Sequence, residues 1–150
     1  MTIHNSQSGR ARAAAVALGL AGALPFIALV GAILAGPDWR TVSSVAVIPA
    51  LIAYGAVILS FLGGINWGIA LGQPDHAGTP FLLSVIPSLL AWAALLLPPM
   101  LALVLLSACF VGQFLLDHYL PMARWFRLLR ATLTVVVTLS LVTALLALLT

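Results

Sequence analysis

Apolar residues fill this chain in five long, nearly unbroken stretches, separated by short clusters of proline, glycine and polar residues. Runs of that length, with no alternation of period two and few charges, are expected to be helices that cross a membrane. The stretches fall at about 13–35, 44–71, 81–97, 100–116 and 128–149. Residues 1–12 form a polar tail that ends in Arg10 and Arg12. That tail has the shape of a signal peptide's opening, but the run from Ala13 to Ala35 exceeds a signal-peptide core. The segment after it, Gly36-Pro37-Asp38-Trp39, reads as an interfacial turn and not a cleavage site. The segment 72–80 is a loop, and Pro98-Pro99 stops the third stretch because neither residue donates a backbone hydrogen bond. The expected fold is all-α: a polytopic membrane protein, a bundle of five transmembrane helices over 13–150 behind a short polar tail.

Composition reinforces the class. With 63% hydrophobic and 6% charged residues and a mean hydropathy of +1.23, a water-soluble globule would lack a surface. Five crossings of about 20 residues each use most of the chain and leave no room for a soluble domain. All six basic residues are Arg, and the pI near 10.0 reflects those few side chains, too few for a nucleic-acid-binding surface. Cys109 is the single cysteine, which excludes an internal disulfide and a cysteine metal cluster. His4, His76 and His118 lack the close spacing of zinc ligands. No paired carboxylates, nucleophile-base spacing or phosphate loop is present, so neither an enzyme nor a cofactor is expected.

Arginine placement sets the orientation. Basic residues near span ends stay on the cytoplasmic side. With the N-terminus inside, Arg10, Arg12, Arg124, Arg127 and Arg130 are internal and Arg40 alone is external, giving an N-in, C-out topology.

On that topology the polar residues gather in the cytoplasmic half. Asn66, Trp67, Ser88, Gln113, Asp117, Arg130 and Thr134 outline a candidate polar cavity open to the cytoplasm, since polar groups at membrane depth turn toward a bundle interior or a wet space. The plainer reading is that they mark helix ends. Cys109, Gln113 and Asp117 share one helix face, and Asp117 requires a cationic partner among Arg124, Arg127 and Arg130. A structural salt bridge is the expectation, ahead of acid-base work by Asp117 with His118, whose side chains leave the helix in different directions. Arg124, Arg127 and Arg130 are also candidates for contact with anionic lipid head groups, with Trp125 and Tyr119 as interfacial aromatics.

Ala56, Ser60, Gly64, Gly68 and Gly72 recur every four residues and form a smooth ridge that lets another helix approach closely. A neighbour within the bundle is the favoured partner over a second copy, and Asn66, nearly opposite the ridge, is suited to a hydrogen bond with an adjacent helix. A short likeness between 47–54 and 85–92, each with a proline followed five residues later by an aromatic residue, Tyr54 and Trp92, is read as coincidence in a chain rich in Ala and Leu.

The blocks Tyr54 to Gly68, Ser84 to Trp92 and Leu128 to Thr134 together resemble the DUF3429 family, through an S-F-L-G-G-x-x-W-G motif and a later L-R-x-x-L-T motif. The resemblance covers most of the chain after the tail. It implies a small multi-spanning protein of bacterial inner membranes, or of the mitochondrial inner membrane in a eukaryote, and carries no activity. The functions left standing are a noncatalytic accessory or assembly factor, with a membrane-protein partner or a homodimer, and a lipid or small-molecule binder or transporter using the polar cavity.

Overall fold

The computed structural model describes residues 2–35, 44–72 and 78–149. The expected turn at Gly36 to Trp39, the external Arg40, and Asp75 and His76 of the second loop lie outside the described residues. Within them the chain is helical, with no strand. Its helices are α1 (Thr2–Ala21), α2 (Leu24–Leu34), α3 (Ser44–Leu71), α4 (Thr79–Leu95), α5 (Pro99–Leu116) and α6 (Arg124–Leu149), with a 3-10 turn at Asp117–Tyr119 after α5.

The first crossing is broken in the middle. Gly9–Leu34 is one apolar segment, yet α1 ends at Ala21 and α2 starts at Leu24. Pro25 explains the break, because it has no N–H to return to the carbonyl four residues back and its ring crowds that carbonyl. The break exposes the Gly22 carbonyl, to which the Tyr54 hydroxyl donates a hydrogen bond of 2.9 Å. The Gly22 carbonyl at the kink is thus satisfied by a neighbouring helix, as a low-dielectric surround favours. Phe26 sits just below, fully buried, with its ring 5.0 Å from that of Tyr54 and 6.4 Å from that of Phe110. One polar bond and two ring contacts therefore join α2, α3 and α5. Trp92, the counterpart of Tyr54 in the short sequence likeness, is exposed, so the two segments pack differently.

Four segments, Gly9–Leu34, Val47–Leu71, Pro99–Tyr119 and Arg124–Leu149, are long and apolar enough to cross a membrane. The third expected span is shorter than a full crossing: α4 has 17 residues, about 25 Å at 1.5 Å per residue against a hydrocarbon core of about 30 Å. Its apolar part, Phe81–Leu95, is shorter still. The cause is local, since the helix stops before Pro98-Pro99, and Pro99 then opens α5 in the first-turn position where a missing N–H costs nothing.

α4 lies along α3 over most of its length, while α5 packs chiefly on α6 and α2 fits between α3 and α6. The core runs between helices and contains Phe26, Leu51, Leu59, Leu103, Leu106, Phe110 and Leu141. The outward faces carry Leu, Val, Phe and Trp in quantity, among them Leu82, Phe61, Val104 and Leu139. Such a surface suits lipid on all sides, so the chain is an all-α membrane protein.

Among the described glycines, Gly63 makes the closest approach to a neighbouring helix. A Cβ there would lie 2.5 Å from the Ser84 carbonyl oxygen and 3.5 Å from Pro87. Only hydrogen fits between these backbones, which is what lets α4 lie so tightly on α3.

Candidate functional site

Asp117 caps the C-terminal end of α5 and is fully buried. Arg130 reaches it from the second turn of α6. Its Nε donates to Oδ2 of Asp117, and its Nη2 donates to Oδ1 at 2.8 Å, so the guanidinium grips the carboxylate with two parallel bonds. Gln113, one turn back on α5, adds a third bond by donating from Nε2 to Oδ1 at 3.3 Å. Of the three arginines offered by the sequence, Arg130 is therefore the partner. Two charges that would each be costly alone form a neutral pair, and the pair ties the end of α5 to the start of α6.

Arg130 is itself buried, which corrects its assignment as a head-group contact: its charge is consumed inside the bundle. Its remaining nitrogen, Nη1, has no protein partner, and neither do Oε1 of Gln113, Oδ1 of Asn66 or Oγ1 of Thr138. Arg130 and Thr134 line a cavity of about 50 Å³ closed by Ile58, Leu62, Phe110, Leu133 and Val137. That space is large enough for a water molecule, and Arg130 and Thr134 are the polar residues in its lining.

The candidate polar residues separate into three groups. Gln113, Asp117, Arg130 and Thr134 come together between α5 and α6 as described. Asn66 is buried, on the same side of α3 as Leu62 one turn earlier. Trp67 and Ser88 depart from the expected cavity. Trp67 is 44% exposed and stacks edge-on against Phe81 at 5.0 Å, because a large indole at a helix end is accommodated on the lipid face. Ser88 belongs to the seam between α3 and α4, its hydroxyl 3.5 Å from where a Gly63 Cβ would be. His118 is exposed and turned away from Asp117, its Nδ1 3.2 Å from the Phe114 carbonyl and its ring against Phe114. Among the described residues, no three His, Cys, Asp or Glu side chains converge as a metal site.

The glycine ridge also splits. Ala56 is buried in the core, but Gly64 and Gly68 are exposed and a Cβ on either would meet nothing within 4 Å. Gly72 is likewise exposed at the helix end. The favoured internal partner is thus absent from this part of the ridge, because the fold rotates α3 so that Gly63, one residue off the repeat, meets α4.

A larger apolar groove of about 500 Å³ opens between α4 and α5. Leu83, Ile86, Pro87 and Leu90 form one wall, Ala108, Cys109, Gly112, Gln113, Leu115, Leu116 and Tyr119 the other, with Leu59 of α3 at the base. Its volume is in the range of small-molecule sites, roughly 300–1,000 Å³. Nothing in the sequence signalled it, since it arises from the way two helices joined at Pro98-Pro99 diverge. The Tyr54 to Gly22 bond and the approach of Arg12 to Trp125 were equally silent, as both depend on which helices become neighbours.

Fold and site together define a polytopic all-α membrane protein with a buried ion pair and an apolar groove. The sequence pattern of the family described as "Protein of unknown function (DUF3429)" matches residues 11–146, and the chain belongs to that family. It is similar to transmembrane protein 69 of Xenopus tropicalis, 40% identical over 135 residues that cover 85% of this chain and 52% of that protein. The Mus musculus transmembrane protein 69 is 36% identical over 140 residues, covering 84% of this chain and 53% of that protein. The chain therefore spans about half the length of these relatives. No solved structure matches.

Proposed function

We propose that this chain is a noncatalytic accessory protein that assembles with, and stabilises, another integral membrane protein through the outer face of α3. The observation that carries the reading is the free part of the glycine ridge, Gly64 and Gly68, which the chain does not use in its own packing. Apolar burial gives little drive for helix association in lipid, so close backbone approach along small residues is a principal source of attraction. A helix of the partner laid along Gly64 and Gly68 gains that approach. The setting is a bacterial inner membrane, or the mitochondrial inner membrane in a eukaryote, with the N-terminus inside. Arg12 lies beside Trp125, at the end where Arg124 and Arg127 are, which supports that orientation.

The test is native mass spectrometry of the chain extracted from its own membrane in mild detergent. A partner at fixed stoichiometry that is lost on Gly64→Leu with Gly68→Leu supports the reading. A partner retained by that variant, or a solitary chain in both cases, sinks it. A mass of two copies would give the ridge to a homodimer instead.

A second reading, binding of a lipid or small apolar molecule, is favoured by the groove between α4 and α5. Gly112 lines it and has open space around it. Gly112→Leu fills part of the groove and should strip a bound molecule from an otherwise solitary chain. Unchanged loading in that variant would remove this reading.

A further inference from the structure

We infer that α1 and α6 together form a binding site for the phosphate of an anionic phospholipid, built from Arg12, Arg124 and Arg127 around Trp125. The inference is independent of the accessory role above.

Arg12 lies over the Trp125 ring, its Cζ 5.3 Å from the ring centre. Stacking fixes the plane of the guanidinium while leaving its N–H edges free for an anion. Arg12 and Arg124 are exposed, and Arg10 stands nearby on α1. Arg127 donates from Nη2 to the Met122 carbonyl at 3.4 Å, but its Nε is buried and has no protein acceptor. Asp117 is the only acidic side chain among the described residues, and it is sealed beneath Arg130. Among the described residues, no carboxylate is therefore left to compensate the basic groups at this end, and the site consists of the arginines other than Arg130.

The surroundings select a lipid over a free phosphate ion. The arginines stand where the apolar parts of α1 and α6 begin, at the depth of the head groups, with an interfacial tryptophan between them. Below them, Leu18 and Leu128 are 73% and 62% exposed, offering acyl chains apolar contacts on both helices. Gly19 brings the two helices together beneath the patch, where its Cβ would be 3.1 Å from Leu129, so the arginines of α1 and α6 are held at fixed separation.

The experiment titrates the purified chain in mild detergent with phosphatidylglycerol, phosphatidylcholine or inorganic phosphate, and counts bound molecules by native mass spectrometry. Each arginine near a membrane surface contributes about 1 kcal/mol, so Arg12→Gln with Arg127→Gln should weaken phosphatidylglycerol binding about thirtyfold. Arg40→Gln, in the segment between α2 and α3, should leave it unchanged. If the double variant loses helicity, Arg124→Gln alters an exposed side chain and should weaken binding about fivefold. Equal binding of phosphatidylcholine, displacement of phosphatidylglycerol by inorganic phosphate at matching concentration, or variants that bind as the parent does would each overturn the site.

Discussion

Arg130 holds Asp117 in a two-bonded grip across the joint between α5 and α6, with both side chains buried. The pair closes a connection of seven residues, 117–123, that consists of the 3-10 turn and four further residues and carries Pro121. Fixing that connection decides how α6 is rotated, and α6 in turn presents Val137, Leu141 and Ala144 to the core. Placing this pair at a helix joint, with Gln113 as its third member, makes it a clamp for the bundle.

Breaking one half of the clamp should be far worse than removing both halves. Asp117→Asn or Arg130→Gln leaves the other group uncompensated in a buried position, at a cost of about 3–5 kcal/mol. Asp117→Leu combined with Arg130→Met deletes both charges and should recover most of that loss. Thermal unfolding in detergent, followed by circular dichroism, gives the order: parent, double apolar variant, then either single variant. A double variant no more stable than the singles would show that the pair does more than neutralise itself.

Adjacent glycines on α3 should respond in opposite ways. At Gly63 an added side chain collides with the Ser84 backbone, which cannot move aside without shifting α4, so Gly63→Val is expected to destabilise by at least the 1–3 kcal/mol typical of overpacking. At Gly64 the same change meets open space and should leave folding within about 0.5 kcal/mol of the parent. Parallel unfolding curves of the two variants decide the matter, and equal losses would place α4 elsewhere on α3.

These glycines also show where the sequence stops being informative. A repeat every four residues locates a face of a helix, because helical geometry alone fixes which residues are aligned. Whether that face meets protein or lipid depends on how the helix is rotated in the bundle, and a rotation of about 100° exchanges Gly64 for Gly63. The same limit applies to Asp117. Its need for a cation follows from the cost of burying a lone charge, but Arg124, Arg127 and Arg130 stand three residues apart on successive turns of α6, and only packing selects one. The apolar helices were legible because run length and polarity are local properties. The shortness of α4 follows from Pro98-Pro99, whereas the groove beside it depends on two helix axes that no local pattern encodes.

Tyr54→Phe isolates a single bond at the kink of the first crossing. The hydroxyl is lost while the ring contact with Phe26 stays, leaving the Gly22 carbonyl without its donor. The expected cost is about 1–2 kcal/mol, the penalty for an unsatisfied buried acceptor. Hydrogen exchange should accelerate in residues 18–27 and little elsewhere, and uniform acceleration throughout the bundle would refute a local role for this bond.

The groove between α4 and α5 can be tested at Cys109, which is the single cysteine and lines its wall. A nitroxide attached there needs no background substitutions. If the helices diverge as described, the label should project among acyl chains after reconstitution in lipid vesicles. Molecular oxygen, which concentrates in hydrocarbon, should then relax it strongly, while a water-soluble nickel chelate should not. Leu83→Trp with Ile86→Trp enlarges the opposite wall, and should immobilise the label and cut its oxygen accessibility by narrowing the groove. An immobile, oxygen-protected label in the parent chain would mean that α4 closes on α5 in the bilayer. The groove reading would then fail, and the outward ridge of α3 would be left as the surface for function.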